Sequence, residues 1–262
     1  SGGSFRLGRR NFRDWKKEGH GYINIHDAIV ESSDTFFYQI GLKLGVDKIA
    51  EYAKSFGFGK KTGILLNDEK DGLVPTALWK KKVVGERWVD GETLTIAIGQ
   101  GYFLATPLQV VNAFAAIANG GRLLVPQIVD RIEDENGVVF EPYVTKEINR
   151  LSVSEDNMRV LREALLGVVQ EEEGTGRVVR IRGVKVAGKT GTAQVVKMKD
   201  DDEIDDDEEI PYKFRDHSWF VGFAPYEKPE IAVVVLIEHG GYGSVSAAPI
   251  AKTVLKAYFS IN

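Results

Sequence analysis

Cysteine is absent from the 262-residue sequence, methionine occurs only twice, and long apolar runs are lacking. The absence of cysteine excludes disulfide scaffolds, thiolate zinc sites and cysteine nucleophiles. The longest apolar stretch, about Leu108 to Ala118, is interrupted by Gln109 and Asn112. A bilayer-spanning helix needs roughly 20 apolar residues, so we expect none within this sequence.

The first residues contain neither an initiator methionine nor an apolar signal segment, because the chain opens on Ser1-Gly2-Gly3-Ser4. We therefore expect a piece of a longer protein, with its targeting or anchoring element outside these residues. With 43% hydrophobic and 27% charged residues, the composition is that of an ordinary globular protein. The length fits one large domain or two small ones.

Acidic residues are concentrated in one segment. Nine Asp and Glu and no Lys or Arg lie between Asp200 and Glu209, and without them the net charge of −4 becomes +5. Repulsion at this density opposes packing, so we expect a solvated acidic loop inserted at 197–211. The segment lacks the ligand spacing of a calcium-binding EF-hand. The remaining positive charge forms no basic stripe, so nucleic acid is not an expected partner.

Helical periodicity recurs along the chain. Apolar residues from Asn24 to Leu44 predict a helix, and four consecutive polar residues, Glu31 to Asp34, divide it into two pieces. Thr106, followed by Pro107 and Gln109, predicts a capped helix start. The other predicted helices are a short one from Asp47 to Gly57, an apolar and central one that reaches Ala118, one that Ser154 opens, and a C-terminal one at 244–259.

Strand patterns fall into two groups. Gln127 to Ile132 and Val138 to Phe140 flank the hairpin turn Asn136-Gly137. Three later strands are predicted at 184–196, 218–224 and 231–237. Neighbouring strands on short connections pair antiparallel. The sequence therefore predicts an α+β fold in which an antiparallel sheet is covered by helices on both faces.

The strongest chemical signal is the run from Ala187 to Gln194, which carries Lys189, two threonines and two glycines on one predicted strand. Glycines remove bulk where a ligand could lie, and such an edge can bind a peptide by strand addition, with Lys189 as a charge for an anion. A surface strand with a solvated lysine explains these residues equally well. Residues 183–190 also match a Walker phosphate-binding pattern, but they alternate like a strand and no helix can follow.

A second signal is Ser32-Ser33-Asp34, at the polar break between the two helical pieces. Serine and aspartate at such a break can cap the following helix. The alternative is a hydroxyl and a carboxylate that a rigid helix junction holds toward a cleft. A third signal is the glycine-rich turn from Ile98 to Tyr102, which precedes the central helix.

Taken together, these motifs resemble a known family. Lys189-Thr190-Gly191-Thr192 resembles the K-T-G motif of penicillin-recognising serine transpeptidases, and Ser32-Ser33-Asp34 resembles their S-x-N motif, with Asp in third place. The chain is similar to the penicillin-binding protein 2 family, the class B peptidoglycan transpeptidases of cell elongation, at 12–17, 19–21, 34–39, 98–102, 105–107 and 220–225. We therefore interpret residues 1–262 as one penicillin-binding transpeptidase domain without its N-terminal part.

The resemblance implies a β-lactamase/transpeptidase-like fold and acyl transfer from the D-Ala-D-Ala end of a peptidoglycan stem peptide, which β-lactams mimic. Lys189 would attract the terminal carboxylate, and the hydroxyls of Thr190 and Thr192 would bind it. The N–H of Thr192 would supply half of an oxyanion hole, Ser32 would relay a proton, and Asp34 would fix the hydrogen-bond network. The predicted substrate-binding residues are Lys189, Thr190, Gly191, Thr192, Ala193 and Gln194.

The nucleophile of this family lies in an S-x-x-K motif, and no serine of this sequence has a lysine three residues further on. We expect the nucleophile in an N-terminal part outside these residues, so that this chain alone cannot be acylated.

The resemblance also implies a zinc site in some members of the family, with Asp, His and Cys side chains as ligands near the S-x-N element. Asp14 and His20 match two ligand positions, but Ser33 stands where a cysteine thiolate would be. No cofactor is therefore expected, and zinc on Asp14 and His20 is a weak alternative. Trp15 and Trp219 are expected in the core.

Two other functions stay open on this fold, a β-lactamase or β-lactam sensor and a non-catalytic scaffold. The resemblance also implies partners, namely a SEDS-type glycosyltransferase and other proteins of the elongation complex. It implies a location on the extracytoplasmic (periplasmic) face of the bacterial inner membrane, with an N-terminal anchor outside this chain.

Overall fold

The computed structural model describes residues 1–142, 144–195 and 211–261. Their α-helices are α1 (Ile25–Val30), α2 (Asp34–Leu44), α3 (Val46–Ser55), α4 (Ala77–Val83), α5 (Asp90–Ala97), α6 (Pro107–Ala118), α7 (Glu155–Gln170) and α8 (Ala247–Tyr258). Their strands are β1 (Ser4–Leu7), β2 (Arg10–Arg13), β3 (Arg122–Leu124), β4 (Arg131–Glu133), β5 (Val139–Pro142), β6 (Glu147–Arg150), β7 (Ala187–Ala193), β8 (His217–Ala224) and β9 (Ile231–Ile237). The predicted acidic loop lies outside the described residues, apart from Pro211. No helix of the described ranges has both the length and the apolar character that crossing a bilayer requires.

The central sheet is antiparallel and has the order β7-β8-β9. Successive side chains of a strand point to opposite faces, and β8 uses both. Phe220 packs in one core cluster with Leu255 of α8. Phe223 packs in another, with Ile117 of α6 and Leu165 of α7. The predicted antiparallel sheet with helices on both faces is therefore confirmed.

Local capping explains where several helices begin. At α6, the Thr106 hydroxyl accepts from the N–H of Gln109, and the Gln109 side chain accepts from the N–H of Thr106 at 2.9 Å. This reciprocal pair satisfies two donors that the helix start leaves without an intrahelical partner. Ser154 caps α7, as its position in the sequence predicts, and its hydroxyl accepts from the N–H of Asn157. Ser33 caps α2, which confirms the division of the first helical region.

Two glycines allow β7 and β8 to approach closely near the candidate site. Gly188 and Gly222 lie opposite each other in the β7–β8 register. A Cβ added to Gly222 would lie 2.6 Å from the carbonyl oxygen of Ala187, and one added to Gly188 would lie 2.7 Å from that of Val221. Both distances are shorter than a carbon–oxygen contact allows, so only glycine fits this part of the sheet.

Some boundaries differ from the prediction. β7 begins at Ala187 rather than at residue 184, because Val184 forms an isolated bridge with Ile181 instead. The predicted strand at 127–132 is shortened to β4, which starts at Arg131. The β1–β2 hairpin, α4 and α5 have no counterpart in the prediction. Phe12 of β2, Tyr38 of α2 and Leu94 of α5 form a third core cluster, which joins this hairpin to α2.

Candidate active site

The two motifs singled out in the sequence meet in space. The ammonium group of Lys189, on β7, donates to the Ser32 hydroxyl with an Nζ–Oγ distance of 2.7 Å. The same ammonium donates to the carbonyl of Thr190 at 3.1 Å. The cation-bearing strand and the serine-bearing helix junction therefore form one site.

Ser32 has an uncommon backbone conformation at the junction between α1 and α2. Its φ is 58°, in the left-handed region that residues with a side chain seldom adopt. The indole N–H of Trp15 donates to the carbonyls of Glu31 and Ser32 at 3.1 Å each, and these bonds hold the junction in place. Strained residues that their surroundings hold in this way are concentrated at functional sites.

Trp15 corrects one expectation from the sequence. Its side chain lies across the outside of the junction, and the residue is 56% exposed rather than in the core. The indole N–H needs a hydrogen-bond partner, and the carbonyls at the exposed end of α1 supply one. Trp219 of β8 is half-buried.

Asp14 organises the hydrogen bonds below the junction. One oxygen of the buried Asp14 carboxylate accepts from the N–H and the hydroxyl of Thr35, each at 2.9 Å, and from the hydroxyl of Ser33 at 3.2 Å. Burial raises the pKa of Asp14, but the hydrogen bonds from Thr35 and His20 outweigh it and hold the pKa below its usual value. Asp34 accepts a hydrogen bond from the N–H of Trp15, and its predicted part in fixing the network stays a prediction.

His20 continues this network to the end of α1. Its Nε2 lies 3.0 Å from Asp14 Oδ1, and its Nδ1 lies 2.8 Å from Glu31 Oε2. Both ring nitrogens are therefore engaged within the protein. Over the part of the chain that the structure describes, no group of three or more His, Cys, Asp or Glu is placed to hold a metal ion. Asp14 and His20 bind each other in this arrangement, and zinc on these two residues stays an untested alternative.

Asp34 and Lys189 form the charged centre of the site. Burial and the negative charge of Asp14 raise the pKa of Asp34, the positive charge of Lys189 opposes the rise, and the resulting pKa is about 6. Burial lowers the pKa of Lys189 to about 8, and the charge of Asp34 opposes that decrease. Both pKa values therefore lie near neutral pH, where side chains exchange protons most effectively during catalysis.

The remaining residues of the K-T-G strand surround this centre. The hydroxyl of Thr190 lies 2.9 Å from that of Thr175, and the hydroxyl of Thr192 lies 3.5 Å from the N–H of Gly243. Gly191 has its α-carbon on the face opposite the two threonine side chains, where an added Cβ would lie 3.3 Å from the Cβ of Trp219. Ala193 pairs with His217 of β8 and ends the strand.

The sequence-based site omitted residues from two other segments. Thr175 contacts Thr190 from the loop after α7. Gln100, in the glycine-rich turn after α5, contacts both Thr192 and Gln194. The turn itself was noted in the sequence, but only the folded chain shows what it contacts.

A serine hydroxyl at a helix junction, in contact with the lysine of a K-T-G strand on this α+β fold, defines the penicillin-recognising serine enzymes. Residues 2–256 match the family described as the penicillin binding protein transpeptidase domain, and the chain belongs to that family. It is 37% identical over 254 residues to the peptidoglycan D,D-transpeptidase MrdA of Salmonella typhimurium, a match that covers 96% of this chain and 40% of the relative. It is 42% identical over 243 residues to MrdA of Acinetobacter baumannii, which covers 93% of this chain and 35% of that relative.

Solved structures agree with this family. Pseudomonas aeruginosa PBP2 in complex with WCK 5153 has a TM-score of 0.83 at 34% identity, over 98% of this chain and 52% of that one. Helicobacter pylori PBP2 in complex with MreC has a TM-score of 0.80 at 36% identity, over 99% of this chain and 44% of that one. The chain thus spans less than half the length of the curated relatives described above.

Proposed function

We propose that these residues are the K-T-G- and S-x-D-bearing part of a peptidoglycan D,D-transpeptidase, which cross-links stem peptides through a serine acyl-enzyme. The observation that carries the proposal is the 2.7 Å contact between Lys189 Nζ and Ser32 Oγ, directly beside the threonines of the K-T-G strand. Relatives named peptidoglycan D,D-transpeptidase support the reaction class.

The site supplies charge and hydrogen bonds to the reaction. The serine of an S-x-x-K motif outside these residues attacks the carbonyl between two D-alanines and gives up its hydroxyl proton. The ester forms as the C–N bond breaks, and the terminal D-alanine leaves with a proton added to its nitrogen. Lys189 attracts the carboxylate of that D-alanine, and the hydroxyls of Thr190 and Thr192 bind it. The N–H of Thr192 stabilises the oxyanion, a donor of a kind that contributes roughly 10²–10³ in rate.

Ser32 carries the proton that the leaving amine requires. Its hydroxyl receives a hydrogen bond from Lys189, whose pKa of about 8 allows it to give up a proton and regain it near neutral pH. Above a pH of about 6, Asp34 is negatively charged beside Lys189. Between a pH of about 6 and about 8, this charge favours the ammonium form of Lys189. An amine of a neighbouring peptide strand then attacks the ester, which restores the serine and completes the cross-link.

The proposed setting is the extracytoplasmic, periplasmic face of the bacterial inner membrane. Two structural neighbours support a function within a larger assembly. Helicobacter pylori PBP2 was solved in complex with MreC. The other neighbour comes from a structure of a peptidoglycan synthase complex that coordinates polymerization and crosslinking. We extend this setting to the intact protein, with an elongation-complex partner and a SEDS-type glycosyltransferase, and with D-Ala-D-Ala stem peptides and β-lactams as ligands.

A fluorescent penicillin tests the proposal on the full-length protein. A long-lived covalent label is expected, and Lys189→Ala and Ser32→Ala should weaken it, whereas Thr253→Ala, at an exposed position of α8, should not. Rapid hydrolysis of the label would favour a β-lactamase instead. The absence of any label on the full-length protein would favour a non-catalytic scaffold.

A further inference from the structure

Gln100 joins the turn after α5 to the end of the K-T-G strand. Its side-chain Nε2 donates to the carbonyl oxygen of Thr192 at 2.7 Å. Its side-chain Oε1 accepts from the N–H of Gln194 at 3.2 Å. One half-buried amide group therefore binds two backbone groups that flank Ala193.

The turn presents Gln100 rigidly. The main-chain N–H of Gln100 donates to the carbonyl of Thr95 at 2.9 Å, in the last turn of α5. The flanking residues Gly99 and Gly101 have φ values of 76° and 71°, which glycine adopts without strain. A Cβ on Gly101 would lie 2.9 Å from the hydroxyl oxygen of Thr95, so the turn also sits close to the helix. The side chain of Gln100 thus starts from a fixed backbone.

The amide of Gln100 occupies the free edge of β7. The carbonyls of Thr190 and Thr192 both point away from β8, because they bond to Lys189 and to Gln100. The two bonds that Gln100 makes, to a carbonyl and to an N–H two residues later, are those that one residue of a parallel neighbouring strand would make. Gln100 therefore takes the place of a neighbouring strand beyond Thr192.

We infer that Gln100 is a positioning residue, which holds the end of β7 extended so that the N–H of Thr192 keeps its direction, and which ends the peptide-binding edge at Thr192. The inference rests on the proposed function, because the N–H of Thr192 matters only if it stabilises an oxyanion. When the strand end is held extended, the N–H of Thr192 already has its direction before the reaction begins. No reorganisation energy is then needed as the oxyanion forms, which is the property of a preorganised donor. Gln100 acts through the backbone of Thr192 and Gln194 and touches neither the acyl group nor the nucleophile.

The test is β-lactam acylation of the full-length protein, with the non-covalent dissociation constant and the acylation rate constant measured separately by stopped flow. For Gln100→Ala we expect the acylation rate constant to fall about 10-fold and the dissociation constant to change less than about twofold. The loss is smaller than the roughly 10²–10³ for removal of an oxyanion donor, because the Thr192 N–H is misdirected rather than removed. Gln39→Ala is the matched control, since Gln39 is an exposed glutamine whose amide donates to Thr35 of its own helix.

A second variant guards against a folding defect. Gln100→Glu keeps the acceptor for the Gln194 N–H but cannot donate to the Thr192 carbonyl, so its acylation rate constant should fall at least as far as that of Gln100→Ala. Faster acylation or tighter binding by Gln100→Ala would overturn the inference, since Gln100 would then compete with the ligand. Acylation rate constants equal to wild type in both variants would overturn the inference about Gln100 and leave the proposed function intact. A wild-type protein that is not acylated would overturn the proposed function and this inference together.

Discussion

Replacement of Asp34 by asparagine tests the electrostatics of the site without the need for acylation. Burial, aided by the charge of Asp14, raises the pKa of Asp34 from 3.8 to about 6. Between these pH values the unfolded chain has released a proton that the folded protein still holds, so the free energy of unfolding of the wild type falls as pH rises. The full decrease is about 3 kcal/mol, at about 1.4 kcal/mol for each tenfold change in proton affinity, and partial solvent access makes this an upper limit.

The assay is denaturant unfolding of the wild type and of Asp34→Asn, followed by circular dichroism from pH 3.5 to pH 7. The asparagine variant should gain stability relative to the wild type across this interval, by up to about 3 kcal/mol, and the gain should level off above pH of about 6. Asp156→Asn is the control, because the Asp156 side chain is 87% exposed on α7. A difference between Asp34→Asn and the wild type that does not change with pH would refute the reasoning.

Four further outcomes are expected. Lys189→Arg should lower the rate of acylation in the full-length protein about 10- to 100-fold, because the larger guanidinium cannot reproduce the charge-assisted contact with Ser32; rates close to wild type would contradict this. Gly222→Ala should lower the free energy of unfolding by about 1–3 kcal/mol. Gly191→Ala, whose added Cβ would lie 3.3 Å from the Cβ of Trp219, should cost less, and equal costs in a denaturant titration would count against the packing argument. Asp14→Asn should move the pH midpoint of the Asp34 profile to lower pH, because the charge of Asp14 raises the pKa of Asp34, and an unmoved midpoint would show that this charge is not felt. Elemental analysis of protein purified without chelators should find less than stoichiometric zinc, because Asp14 and His20 bind each other, and stoichiometric zinc would argue for a rearranged site.

The sheet and its central helices could be predicted because their signals are local. Thr106 and Gln109 form the capping box that their spacing predicts, and β8 and β9 alternate their side chains between two cores. The family motifs supplied what periodicity could not, namely that Ser32 and Lys189 belong to one site. Their contact depends on tertiary packing, which no local pattern encodes.

α5 was missed because its buried face is partly polar. Thr93 is buried, and its hydroxyl accepts from the indole N–H of Trp88 at 2.8 Å, so a polar residue occupies a position where periodicity requires an apolar one. The role of Gln100 was missed for a related reason, since its partners Thr192 and Gln194 lie far along the chain. The hydrogen bonds of Asp14 were missed for the same reason, because its partner Thr35 lies 21 residues further along the chain.

The distance along the chain between Ser32 and Lys189, 157 positions, has a consequence for how the molecule assembles. Closure of so long a loop has an entropic cost, which the packing of α1 on α7 and of α2 on α5 helps to repay. The groove between Ser32 and Lys189 therefore exists only once both ends of this loop are in place. A ligand that requires both sides can stabilise only the completed molecule, so its occupancy reports on folding as well as on recognition.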